Sequence, residues 1–418
     1  MSSQVEALRS NNLAYLDLQT ILGQNRGLYD IMEDVLASFR NAPEVEIIDT
    51  FALSEEWFSE LMDSKLQALQ NDESGAIDVM EGFDKKVQNT MPGHRRYPES
   101  LFGHIHRKAE QYVDNALAQR SDWKYHHFGS VVLTDARFEN EREALIASAG
   151  QHAASQWQQL KDGTGLDLKF SFPDPPNDSA TQRTIYEALS KEKSVQKAAE
   201  EKFWASIAEL EAQNESDFAL FWIERVDSRV HSYNDGLTSI EDQKLRDQLS
   251  ELFATYIQKD LVPDAISKAR SQGLIASRKT RKNVQKLEAT LAASKSDVST
   301  ILSTVDKFTK KQAVEPISQS SLEIIKQTML QDMLRRMAKQ QKSSDGPVLF
   351  LTLVVVLFAK HHPGIVYATG KYAPKLLKQL KGNLEPEEYE QLDKWKEAAK
   401  AGTLGKEDRE EMRRMAGA

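Results

Sequence analysis

The run Pro347-Val-Leu-Phe-Leu-Thr-Leu-Val-Val-Val-Leu-Phe-Ala359 is the segment that leaves this chain the fewest options. It is apolar on every side of a helix, so a helix here has to be sheltered all round. Its 13 residues would span roughly 20 Å as a helix, against a bilayer core of roughly 30 Å. The run therefore points to a helix buried in a protein core, with no stable membrane insertion. Ser344-Asp-Gly-Pro347 supplies the start signal, with proline in the first turn.

The rest of the chain is wet and helical in character. Among 418 residues, Gly (19) and Pro (12) are scarce, which favours long helices over a turn-rich β fold. The absence of cysteine excludes disulfides, thiolate zinc sites and a cysteine nucleophile. The first residues lack a charged stretch followed by an apolar core, so no signal peptide is expected. Acidic residues dominate positions 1–260, whereas positions 261–345 carry an excess of Lys and Arg. That basic stretch keeps a polyanion partner open despite a net charge of −9.

Punctuation divides the chain. Gly75, Pro92-Gly93 and Pro98 interrupt a first helical region, and Gly163, Gly165, Pro173, Pro175 and Pro176 mark a break over 161–179. Within that break, Leu166–Phe172 alternates and is expected to be extended. Phe128–Thr134 reads as a short strand or a helix entry. Pro263 marks the next joint, and Pro316 closes the segment after it. Val284, Leu287, Leu291, Ser294, Val298, Ile301, Val305 and Phe308 form a heptad seam, read as one long helix packed in its own domain or as a self-associating coiled coil. No internal repeat is visible. The expected fold is all-α: two helical lobes with a cleft between them and flexible terminal arms. The divisions are 1–15 as an N-terminal arm, 16–260 as the first lobe with a hinge near 161–179, 261–400 as the second lobe, and 401–418 as a mobile tail.

No phosphate loop, dinucleotide fingerprint, metalloprotease helix or nucleophile elbow occurs, so no enzyme, cofactor or metal is expected. His104, His106, His126 and His127 read as ordinary surface and core histidines, and Glu139, Glu141 and Glu143 as solvated charge. The basic clusters carry more. Lys268, Arg270, Arg278, Lys279, Arg281, Lys282 and Lys286 crowd one stretch, and cations at that density repel unless an anion such as phosphate neutralises them. Arg335 and Arg336 belong to a second cluster at a helix end. A third joins His94, Arg95, Arg96 and Tyr97 to His106-Arg-Lys108, where arginine and aromatic stacking would suit single-stranded RNA. Directly after the apolar run, Gly364 and Gly370 permit a close approach or sharp turn, and Lys371, Tyr372 and Lys375 set charge beside an aromatic ring.

This C-terminal third resembles the nucleoproteins of nonsegmented negative-strand RNA viruses, a mymonavirus-like group being the closest class. The matching elements are Val348–Ala359, then Pro363–Tyr372, then Glu388–Ala399. The resemblance implies encapsidation of single-stranded RNA without sequence specificity, in a basic inter-lobe cleft. It also implies self-assembly through terminal arms, a viral polymerase cofactor as a further partner, and a place in the host cytoplasm and the virion or ribonucleoprotein particle. The cations listed above from Lys268 to Lys286, with Arg335, Arg336, Lys371, Tyr372 and Lys375, would then contact RNA. Two other readings stay open: an intracellular coiled-coil scaffold built on the heptad seam, and a helical, pore-forming type of membrane-acting protein using residues 347–381.

Overall fold

A computed structural model describes residues 3–10, 12–81, 99–119, 124–165, 167–175, 179–294, 297–312, 314, 317–340 and 342–417. Pro92, Gly93, Pro98, Leu166, Pro176 and Pro316, and the basic cluster His94, Arg95, Arg96 and Tyr97, lie outside these residues. The fold is predominantly α-helical, with two small three-stranded sheets. The chain separates into two compact units, 1–155 with 169–206 and 156–168 with 207–418. The change of unit at 168/169 falls inside the glycine- and proline-rich break. The described residues of 162–179 form no helix or strand there, and the alternating segment ending at Phe172 is irregular.

The first unit opens with α1 (Ser3–Arg9), β1 (Tyr15–Asp17), α2 (Leu18–Gln24), α3 (Met32–Ala37), β2 (Val45–Ile48) and β3 (Phe51–Ser54). The strands pair antiparallel in the order β1-β3-β2, with Tyr15 opposite Leu53 and Val45 opposite Ser54. Asp49 takes the positive φ (51°) that the tight β2–β3 turn demands. The order then recurs. α4 (Glu55–Asn71) leads to β4 (Ala76–Asp78), and α5 (Glu99–Gln119) leads to the hairpin β5 (Tyr125–Phe128) and β6 (Val131–Thr134), paired as β4-β6-β5. Both sheets share one strand order, a repeat of topology that the sequence did not display. The strand alternative for 128–134 holds: the stretch ends β5, turns at Gly129 (φ +58°) and runs on as β6. Helices α6 (Asp135–Lys161) and α7 (Ala180–Lys191) follow. The expected N-terminal arm is not free: Val5 and Leu8 are buried in a small core with Leu18, Ile21 and Val35.

α8 (Lys193–Trp222) starts in the first unit and passes into the second after Ser206, where it continues through a π-helical turn at Ile223–Asp227 into α9 (Ser228–Thr238). α10 (Gln243–Tyr256) likewise continues through a π turn at Ile257–Leu261 into α11 (Val262–Ser271). Pro263 therefore does not end a helix. It lacks an N–H and its ring crowds the preceding turn, and the wider π turn just upstream takes up the misfit. The heptad seam is two helices rather than one, α12 (Arg278–Ala293) and α13 (Val298–Lys311). Ser294 ends α12 in an extended conformation, and the Asp297 side chain caps α13 by accepting from the Thr300 amide. The seam residues Val284, Leu287, Leu291, Ile301, Val305 and Phe308 are buried within this unit's own core, which leaves no seam for a coiled-coil scaffold.

After α14 (Gln319–Lys339) comes the apolar helix, α15 (Gly346–His361), packed against α14, α16 (Ala373–Gln379), α17 (Pro386–Ala401) and α18 (Lys406–Ala416). Leu349, Phe350 and every residue from Leu353 to Ala359 are buried. Among the described residues no helix is long and apolar enough to cross a membrane. The expected mobile tail is instead docked: α18 buries Met412 and Ala416, and Lys360 Nζ donates to the Ala416 carbonyl at 3.0 Å. Two apolar residues four apart suffice to seat a helix whose other faces are charged.

Candidate functional site

A cavity of about 400 Å³ opens on the second unit. One wall is a single face of α14, with Met329, Asp332, Met333 and Arg336, extended by Gln340 at the helix C-cap. The facing wall is a single face of α15: Val348, Leu351, Thr352 and Val355. Both sets step by three, one and three, the spacing that lines up side chains on a helix. Val348 is 52% exposed at the rim, although it belongs to the most apolar run of the chain.

The floor is aromatic. Tyr256 and Tyr367 stack with ring centroids 4.0 Å apart and planes 17° apart. Tyr233 meets both edge-on, at 6.1 and 5.8 Å. Tyr367 arrives on the segment from Pro363 to Ala368, which is held against α9. The Ile365 amide donates to the Ser232 carbonyl at 2.9 Å, and Gly364 adopts φ +68° where its backbone crosses Gly236. The two π turns sit beside this floor, one just before Arg229 and Tyr233 and the other just after Tyr256. Such turns re-aim the side chains that flank them and recur at functional sites.

Two guanidinium groups enter the groove. The Arg229 guanidinium favours ionisation of the Tyr256 phenol, and Arg336 forms no ion pair among the described residues. Both favour ionisation of the Tyr233 phenol, yet its burial outweighs them and holds its pKa well above the usual tyrosine value. Burial raises Tyr256 and Tyr367 as well. None of these phenols is poised to exchange a proton near neutrality. Gln340 Oε1 has no hydrogen-bond partner among the described residues. The groove is equipped to bind rather than to perform acid–base chemistry. No group of His, Asp and Glu that could hold a metal is found among the described residues.

The residues expected to touch RNA fall elsewhere, with the exception of Arg336. Lys268 pairs with Asp264 at 2.8 Å, Arg270 with Glu288 at 2.8 Å, Lys279 with Glu215 at 2.7 Å and Arg335 with Asp332 at 3.2 Å. The crowded cations are thus partly neutralised by carboxylates of the same chain. Arg278, Arg281, Lys282 and Lys286 are exposed along α12. Tyr372 is buried, with Lys371 Nζ 5.4 Å and Lys375 Nζ 6.0 Å from its ring centroid, so its ring is no platform for a base. Lys375 also donates to Gln248 Oε1 at 2.8 Å. In the first unit, Lys108 is held by Glu46 at 2.6 Å and Glu55 at 2.7 Å. His104, His126 and His127 each face a carboxylate: Glu46, Asp135 and Asp114. Arg229, Tyr233, Tyr256 and Tyr367 were not singled out by sequence reasoning.

Comparison with known proteins decides against the viral reading. Residues 326–413 match the family model of the E3 UFM1-protein ligase 1 C-terminal domain. The matched segment runs from within α14 into α18, and so contains the apolar helix and most of the groove. No curated protein matches the chain. This match overturns the nucleoprotein resemblance and what it implied: RNA encapsidation, single-stranded RNA, arm-mediated self-assembly and a viral polymerase cofactor as partners, and a location in a virion or ribonucleoprotein particle. The expectation that the chain has no enzymatic role is corrected by the same match to a ligase domain. Burial of the apolar helix likewise leaves residues 347–381 without the free apolar surface that a membrane-acting protein needs.

Proposed function

We propose that this chain serves UFM1 conjugation as part of a UFM1-protein ligase, and that its second unit is a docking element within it. The observation that carries this reading is the match of residues 326–413 to the C-terminal domain of E3 UFM1-protein ligase 1. A thioester to the modifier needs a cysteine, and these 418 residues contain none. The part played here in transfer is therefore non-covalent: holding partners so that a reaction between them becomes effectively intramolecular, a gain of roughly 7–11 kcal/mol at best.

The test is reconstitution. UFM1, its activating enzyme and its conjugating enzyme are combined with a lysine acceptor, with and without this chain. The expected results are co-elution of the chain with at least one of these proteins and faster loss of UFM1 from the conjugating enzyme. If the chain neither binds any of them nor changes the rate, the proposal fails.

A further inference from the structure

We propose that the groove between α14 and α15 receives an acidic linear peptide segment of a partner protein, anchored by one aromatic or large aliphatic side chain. The tyrosine floor would take the anchor, and Arg229 and Arg336 would hold the flanking carboxylates.

Three observations on this groove support that occupant. The first is charge. Two guanidinium groups, Arg229 and Arg336, line the groove with Tyr233, and the one lining carboxylate, Asp332, is already engaged by Arg335. Arg336, with no ion pair among the described residues, is available to a carboxylate from outside, and guanidinium–carboxylate bonds are among the stronger and more directional ones. A basic peptide would meet two cations and no free lining anion. The second is the shape and lining. A cavity of about 400 Å³, walled by Met329, Met333, Leu351 and Val355, accommodates an anchor side chain and adjoining backbone. Methionines adapt to varied apolar partners, and a groove between two helix faces is a recurrent peptide seat. The third is Gln340 in the lining, whose buried Oε1 has no hydrogen-bond partner among the described residues. This inference does not depend on the ligase reading, because the groove's chemistry is the same whichever pathway supplies the partner.

The full chain is used to select from a phage library of random peptides, and the enriched sequences are synthesised with a fluorescent label for anisotropy titration. The expected consensus places Asp or Glu beside Trp, Phe, Leu or Met. Arg336→Glu, at an exposed position, should weaken binding by roughly ten-fold or more without lowering the melting temperature. Val348→Asp at the rim should also weaken it, and affinity should fall as salt rises. No enrichment, a basic consensus, equal binding of an acidic peptide lacking the anchor, or indifference to Arg336→Glu would each overturn the proposal. So would full displacement of the peptide by an equal concentration of single-stranded RNA, which would mark the site as a general polyanion surface.

Discussion

The backbone of Ile365 occupies the space where a side chain on Gly236 would have to go. A Cβ built on Gly236 collides with the Ile365 carbonyl group, and one built on Gly364 collides with the Gly236 amide and the Ser232 carbonyl. This crossing seats the segment that brings Val366, Tyr367 and Ala368 to the groove. Gly236→Ala must push two backbones apart, which in a packed interior costs about 1–3 kcal/mol or more. Gly370, with nothing within 4 Å of a built Cβ, is the matched control. Denaturant unfolding should show a large loss for Gly236→Ala and a change within about 0.5 kcal/mol for Gly370→Ala. Equal stability of the two variants would contradict the crossing.

The apolar helix offers a second contrast within one element. Leu353 is fully buried, whereas Val348 is 52% exposed. Leu353→Asp places a carboxylate where no partner can reach it, and should cost upwards of about 4 kcal/mol, enough to unfold the second unit. Val348→Asp should shift stability by about 0.5 kcal/mol or less. Far-UV circular dichroism and thermal melts of both variants distinguish this arrangement from one in which the helix lies on a surface.

A third expectation concerns the last helix. Met412 is fully buried, and Arg413 donates to the Met337 carbonyl at 3.2 Å and to the Gln340 carbonyl. Met412→Ala should destabilise the second unit by about 2–5 kcal/mol. Proteolysis should then cut within 405–418 sooner than in the parent chain. A variant as resistant as the parent would mean that the helix is not docked as described.

What could be read from the sequence followed from how local the cause was. The apolar run has one physically acceptable placement, so its burial was legible. Gly163, Gly165, Pro173 and Pro175 announced the break because backbone restrictions act residue by residue. Six of the heptad positions pack inside this unit's core, but the seam is two helices rather than one, because its three-and-four rhythm runs straight across the Ser294 terminus. Only the Asp297–Thr300 cap marks a second helix there. The strands are three or four residues long, too short for alternation to speak, so the repeated sheet topology stayed hidden. The groove was least legible. Tyr256 and Tyr367 are separated by the whole of α12 and α13, and they stack only because two glycines let distant backbones cross. The basic clusters misled because their neutralising carboxylates, such as Glu215 and Glu288, come from other turns and helices.

The pH dependence of stability should carry the mark of Asp227. This residue lies in the first π turn, with its side chain 4% exposed. Trp222 Nε1 donates to Thr309 Oγ1 at 3.0 Å, and Thr309 Oγ1 donates to Asp227 Oδ1 at 3.1 Å. His231 Nδ1 stands 3.7 Å from Oδ2. Burial raises the Asp227 pKa above the usual aspartate value of 3.8, outweighing the opposite pulls of His231 and Thr309. A carboxyl whose pKa is raised by folding holds its proton more tightly in the folded state. Its contribution to stability is therefore fully present below 3.8 and is lost as pH rises through the folded value. At neutral pH the buried carboxylate is a net cost that a neutral isostere avoids. Asp227→Asn keeps an oxygen to accept from Thr309 and should be more stable than the parent at pH 7. That advantage should be smaller at pH 4 than at pH 7, because folding makes the parent carboxyl hold its proton more tightly. Denaturant midpoints at the two pH values test this. A variant less stable than the parent at pH 7 would show that the ionised carboxylate, through His231 and Thr309, stabilises the turn after all.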